Sequence, residues 1–338
     1  MKKILALVLA LAMVFTFVAC GSKADKDDTS SPAGDTAAKA EYKLGMGISV
    51  SLDSSKDKTA QADATVATVI MDADGKIVAA DLDCAQTKLT ADAKLDEVDL
   101  RTKKEKKEDY AMKGVSPIGK EWYEQAAAFS DKMVGKTAAD LDAIETEVKN
   151  NHNVAVDADL YAACTMDITA FKAAFVAACK DDQTKTFEAE ADSFKLGLAV
   201  NTDVSGSTAE VAQLYSTFSA AAVDADGKVL ATIVDAIQPT VAFDKDGNVG
   251  EKKFSDTKRV LKEGYNMKGV SPIGKEWYEQ AAAYTDKMVG KTAADIEAIE
   301  TEVKSGHNVA VDADLYAACT MDITAFKADM AEAIKAAK

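Results

Sequence analysis

The stretch Asp157-Ala158-Asp159-Leu160-Tyr161-Ala162-Ala163-Cys164-Thr165-Met166-Asp167 brings carboxylates, a phenol, a thiol and a hydroxyl close together, and it recurs unchanged from Asp312 to Asp322. Asp159 and Asp314 bring carboxylates. Thr165 and Thr320 bring hydroxyls just ahead of amphipathic runs that start at Ile168 and Ile323. A hydroxyl at that place is suited to a phosphate, because the free amides and the dipole of a helix N-terminus favour an anion. Asp167 supplies the opposite reading, since its own carboxylate can cap the same helix.

Other candidate groups are sparser. Trp122-Tyr123 and Trp277-Tyr278 contain both tryptophans of the chain. One member of each pair falls on a core face, and the other can line a groove and stack on a planar ligand. His152 and His307 are the only histidines and stand alone in Asn-Val-Ala-Val-Asp loops, so histidine-based catalysis has little to draw on. Besides Cys20, the cysteines are Cys84, Cys164, Cys179 and Cys319. Only Cys164 and Cys319 correspond between the repeated stretches, so no disulfide can be shared by both. A Cys84–Cys179 or Cys164–Cys179 bridge stays open, beside the plainer reading of buried thiols. No hydrolase, transferase, P-loop, dinucleotide-binding or zinc motif is present, and no metal site is expected. Asp72-Ala73-Asp74-Gly75 lacks the later glutamate of a calcium loop and reads as a hairpin turn.

The elements that must position these groups come in two copies. Residues 112–173 and 267–328 align without a gap at an offset of 155 and differ at six of 62 positions. The preceding segments match loosely at an offset of 152, as in Asp72–Lys76 and Asp224–Lys228. Domains are therefore expected at 41–180 and 192–338, joined by the polar link 180–191. In each, a strand (43–52 in the first) precedes a hairpin, 64–71 with 76–83 and 217–223 with 228–237. The charged run Lys103–Asp109 reads as a solvated face. Ser116 and Pro117 then open a helix whose apolar face carries Trp122, Ala126, Phe129 and Met133. A short helix near Thr137, a loop with Val154 and Val156, and a final helix with Ile168, Phe171 and Phe175 complete the unit. The expected fold class is α+β, two tandem repeats, each a small antiparallel sheet packed against helices.

The N-terminus carries a different signal. Lys2 and Lys3 precede an apolar run from Ile4 to Val18 that ends at Phe17-Val18-Ala19-Cys20-Gly21. This resembles a bacterial lipobox, with Phe17 where leucine is usual. It predicts a lipoprotein signal peptide over 1–20, lipid on Cys20, and a flexible tether over 21–40, which has no large apolar side chain. The expected location is extracytoplasmic, anchored to the bacterial cell membrane. A net charge of −16 and a pI near 4.7 argue against nucleic acid as a partner.

Taken with the glycine-containing first strand and the Asp74-Gly75-Lys76-Ile77 turn, the motif at 157–176 resembles the end of an FMN-binding domain. Such domains occur in lipoproteins of extracellular electron transfer, where an Asp-x-x-Ser/Thr-Gly-Ala-Thr/Ser motif precedes a helix. The resemblance spans each domain almost whole. It implies that Asp159 and Asp314 match the leading aspartate, and that Thr165 and Thr320 match the residue that receives FMN through a phosphoester. Ala162, Ala163 and Cys164 stand where a hydroxyl residue, glycine and alanine are usual, which weighs against a covalent link. Trp122 and Trp277 are the aromatic candidates for the flavin ring. The implied function is that of an exported, lipid-anchored surface protein holding FMN or another small ligand, with electron transfer as its use. The alternative is a cofactor-free binding or spacer lipoprotein. The residues single out no protein partner.

Overall fold

A computed structural model describes residues 38–338, apart from 254 and 255. The signal peptide, Cys20 and all of the tether up to residue 37 lie outside the described residues. No helix among those described is long and apolar enough to cross a membrane. The described chain is α+β and built on antiparallel sheets.

In the first half, strands β1 (Ala40–Ser51), β2 (Thr59–Met71) and β3 (Ile77–Thr90) are followed by helices α1 (Lys103–Lys106), α2 (Trp122–Met133) and α3 (Ala138–Asp142). A hairpin of β4 (Thr146–Lys149) and β5 (His152–Ala155) and helices α4 (Ala158–Ala163) and α5 (Thr169–Ala178) come next. Strand β6 (Thr184–Ala189) leads into the second half, with β7 (Phe194–Asp203), β8 (Val211–Gln213), β9 (Tyr215–Asp224), β10 (Val229–Ile237), β11 (Thr240–Phe243) and β12 (Val249–Lys253). Helices α6 (Lys258–Leu261), α7 (Trp277–Asp286) and α8 (Ala293–Glu297), hairpin β13 (Thr301–Lys304) and β14 (His307–Ala310), and helices α9 (Ala313–Ala318) and α10 (Thr324–Ala336) close the chain.

The hairpin turns form for a local reason. Asp72 Oδ1 accepts the amides of Asp74 (3.0 Å) and Lys76 (2.9 Å), and Gly75 takes φ +75°. Asp224 does the same for Asp226 and Lys228. The strands so joined build sheets in the order β3-β2-β1-β6 and β10-β9-β7. Alternation along β2 then divides its side chains. Val69 and Met71 face the core under α2 and α5, whereas Ala64, Val66 and Ile70 face the other sheet. That second layer joins Leu44 and Met46 to Leu196, Phe218 and Ile233, so one apolar core belongs to both halves. The helices cover the outer faces, α2 and α5 on one sheet, α7 and α10 on the other.

Three expectations need correction. The polar link 180–191 contains β6, which pairs antiparallel with β1, and Phe187 and Ala189 are buried in the shared layer. The loop around Val154 is a hairpin. Helix α2 starts at Trp122 and is capped by Glu121 in a reciprocal pair with Glu124, because Gly119, at φ +63°, turns the chain after Ser116. Cys84, Cys164, Cys179 and Cys319 are all free thiols.

Candidate functional site

Thr165 and Thr320 are buried and committed to their own fold. The backbone N–H of Thr165 (2.9 Å) and its hydroxyl (3.1 Å) both donate to Gln125 Oε1. Thr320 repeats this with Gln280 Oε1 at 2.9 and 3.1 Å. Each glutamine amide donates in turn to a serine hydroxyl and a main-chain carbonyl, Ser116 and Lys120 or Ser271 and Lys275. The start of each final helix is occupied as well. Asp167 accepts the amides of Asn153 (2.8 Å) and Thr169 (2.9 Å), and Asp322 those of Asn308 and Thr324, both 2.9 Å. Burial opposes charge on these two carboxyls, yet the amides hold both below the usual range. A phosphate there would meet a fixed carboxylate and a threonine hydroxyl already engaged by a glutamine. The residues present do not fit a phosphoester-linked FMN at Thr165 or Thr320.

Asp159 and Asp314 are exposed in the first turns of α4 and α9. Asp159 borders a separate polar depression of about 590 Å³ with Lys132, Lys136 and Asp140. The fold therefore does not gather the aspartate with the threonine into one site.

Trp122 and Trp277 are core residues, each packed edge-on against a phenylalanine, Phe171 at 5.8 Å and Phe326 at 5.7 Å. In the second half Trp277 also borders a cleft of about 400 Å³, together with Tyr215, Tyr265, Phe326, Thr320 and Lys258. Tyr123 and Tyr278, the other members of the two aromatic pairs, donate to Glu108 (3.0 Å) and Glu263 (2.9 Å).

Lys258 gives the cleft its charge. It follows Thr257, whose hydroxyl accepts the Val260 amide and starts α6. The side chain is buried, 5% exposed. Its ammonium lies 4.5 Å from the ring centre of Tyr265, 4.8 Å from that of Tyr215 and 5.5 Å from that of Trp277. Cation–π attraction replaces part of its lost hydration. Burial still pushes its pKa down to about 8, with Asp235 pulling the other way. Among the described residues no carboxylate lies within ion-pair distance of Lys258, whereas Lys304 at the rim pairs with Glu302 at 2.8 Å.

The first half builds the same corner with different neighbours. Lys103 lies 5.2 Å from Tyr110 and 5.7 Å from Trp122. Asp63, opposite Ser51 in the ladder, takes the place of Tyr215, which stands opposite Asp203. The Asp63 carboxylate is held by the amides of Gln61 and Gln86, each at 2.7 Å. Burial works against charge on Lys103, but Cys84, Tyr110 and Asp63 outweigh it and raise its pKa. The run Lys103–Asp109 is thus only partly a solvated face.

The paired lysines and the buried glutamines are the residues at the candidate sites that pattern reading missed. A signal existed for both. Gln125 interrupts the apolar face of α2 between Trp122 and Phe129. Thr102-Lys103 and Lys107-Glu108-x-Tyr110 recur as Thr257-Lys258 and Lys262-Glu263-x-Tyr265 inside otherwise diverged sequence. No protein-family model, curated protein or solved structure matches the chain.

Proposed function

We propose that this chain is an exported, lipid-anchored surface protein whose second half holds a small planar ligand. The observation that carries the reading is the cleft of about 400 Å³ walled by Tyr215, Tyr265, Trp277 and Phe326. Its size and its aromatic walls, set among polar groups such as Lys258, His307 and Thr320, are those of a small-molecule site. The leader, with its lysines, apolar run and Cys20, supports export and membrane anchoring. A flavin is the ligand class that the sequence resemblance suggests, and its ring system suits aromatic walls. The protein would then contribute binding and tuning to an electron carrier, while the flavin supplies the redox chemistry. The covalent threonine link forms no part of this reading. The first half, with Asp63 at the strand position of Tyr215, is the cofactor-free partner.

Absorbance and native mass spectrometry of the protein purified from its own membranes test the proposal. One small-molecule equivalent per chain, lost after Trp277→Ala, is the expected result. A bare chain that binds neither flavin nor other planar probes added at micromolar concentration would remove it. For the anchor, Cys20→Ala is expected to release the protein from the membrane fraction or leave it uncleaved.

A further inference from the structure

The two lysine corners differ in one respect that decides what each can accept. In the first half an acidic side chain of the same chain, Asp63, stands on the neighbouring strand, opposite Ser51. In the second half the equivalent strand position is Tyr215, and the ammonium of Lys258 is met by three aromatic rings. Aromatic faces offset part of the cost of burying a cation, but they leave its charge unneutralised. Cys84, a further neighbour of Lys103, is replaced by Ala236, which removes another polar group and leaves room. The remaining acidic groups near the cleft are committed elsewhere. Asp322 accepts two backbone amides, and Asp235 accepts those of Ala236 and Arg259.

We infer that the second-half cleft is a receptor for small aromatic anions bearing a carboxylate or phosphate, with Lys258 as counter-charge and Tyr215 as the residue that leaves this charge to an outside ligand. The inference rests on the small-ligand reading above and narrows it to a charge class. The aromatic part of the ligand packs against Tyr215, Tyr265, Trp277 and Phe326. Its anionic group pairs with the ammonium of the buried Lys258 at the wall of the cleft, where such a pair is stronger than at a fully exposed surface. Asp63 puts a carboxylate at the strand position of Tyr215, so no second equivalent is expected to bind in the first half.

Calorimetric titration of the full chain with 2-naphthoate, 2-naphthyl phosphate and uncharged 2-naphthamide tests this. The wild type is expected to bind one equivalent of an anion at least ten-fold more tightly than the amide, and the order of naphthoate and naphthyl phosphate tells which group the site prefers. Lys258→Met is expected to abolish that preference and leave amide binding within about two-fold. Tyr215→Asn and Tyr215→Asp both remove the ring, and the first half shows that the fold accepts aspartate at this strand position. The aspartate variant is expected to bind the anions at least ten-fold more weakly than the asparagine variant, with equal affinity for the amide. This pair carries the test even if Lys258→Met fails to fold. Equal wild-type binding of acid and amide, or equal anion binding by the two Tyr215 variants, overturns the charge assignment and leaves the cleft as a neutral site. Binding of none of the three probes removes the small-ligand reading, and the charge assignment with it.

Discussion

The first half closes over Lys103 with Asp63 and Cys84; the second opens onto Lys258 with Tyr215 and Ala236 in the same places. The helices, caps and hairpins above these lysines are almost unchanged between 112–173 and 267–328, whereas the strands beneath them have diverged. Two nearly identical lids therefore sit on different floors. The lesson is that a site can change its chemistry while its most similar segment stays fixed, because strands from the diverged part supply the deciding side chains. Asp329 makes the same point. It stands in α10 where α5 has Ala174, and it is buried against Thr217, whose hydroxyl donates to it.

The largest expected effect tests what the halves share. A Cβ at Gly197 would lie 1.8 Å from the Ala333 carbonyl oxygen, and one at Gly45 would lie 2.0 Å from that of Ala178. Gly197→Ala and Gly45→Ala each force a strand and its covering helix apart, and each is expected to cost roughly 3 kcal/mol or more in denaturant unfolding. A mild effect at one site only would break the equivalence of the two helix–strand contacts.

The next effect belongs to the second half alone. Burial pushes Asp329 up to about 7, with the Thr217 hydroxyl pulling it down. An unfolded aspartate titrates near 4. The folded state therefore binds the extra proton between these values, and the stability that this provides is complete below about pH 4 and lost as pH rises through about 7. Asp329→Asn keeps a hydrogen-bonding side chain and cannot ionise. It is expected to flatten the fall in stability between pH 5 and pH 8 by on the order of 2–4 kcal/mol. An unchanged slope would mean that Asp329 stays charged in the fold. Asp83, pushed up to about 6 mainly by burial, adds a slope of the same sign in the first half, so the variant is compared with wild type rather than with a flat line.

Smaller effects sharpen the comparison. Thr165→Val and Thr320→Val each leave a buried glutamine oxygen with one donor fewer, and each is expected to cost about 0.5–1.5 kcal/mol, by the same amount in both halves. A loss of copurifying ligand in the Thr320 variant, with stability unchanged, would restore a ligand role to that hydroxyl. Tyr284 of α7 replaces Phe129 of α2, and among the described residues its buried hydroxyl has no partner. Tyr284→Phe is expected to gain up to about 1 kcal/mol in the same unfolding measurement, and no gain would mean that water or a ligand reaches the hydroxyl.

Strong local periodicity made much of this fold legible in advance. The face Trp122, Ala126, Phe129 and Met133 and the turn at Asp72–Lys76 are set by neighbours in sequence, and both appear where expected. Strand β6 was hidden because only Phe187 and Ala189 of Thr184–Ala189 are buried, and the rest reads as polar link. The hairpin of β4 and β5 was hidden because Thr146–Lys149 is exposed throughout and shows no alternation. The lysine corner escaped for another reason. Lys103 and Lys258 lie in runs rich in charge, and only contacts with distant strands and with Trp122 or Trp277 reveal that one lysine in each run turns inward. The threonines were readable as residues before a helix. Their engagement by glutamines forty positions earlier was not.

The pairing of β1 bears on how the fold would carry a load applied at its first strand. Strand β1 begins at Ala40 and is gripped on both sides, by β2 and by β6, in antiparallel register. At the other end, Lys338 exchanges backbone hydrogen bonds with Leu196 of β7. Tension applied through the segment before Ala40 is drawn along the strand and acts on two ladders in parallel, as shear instead of unzipping. Rows of hydrogen bonds loaded in this way yield together, so a pull on the segment before Ala40 would have to break both ladders of β1 at once.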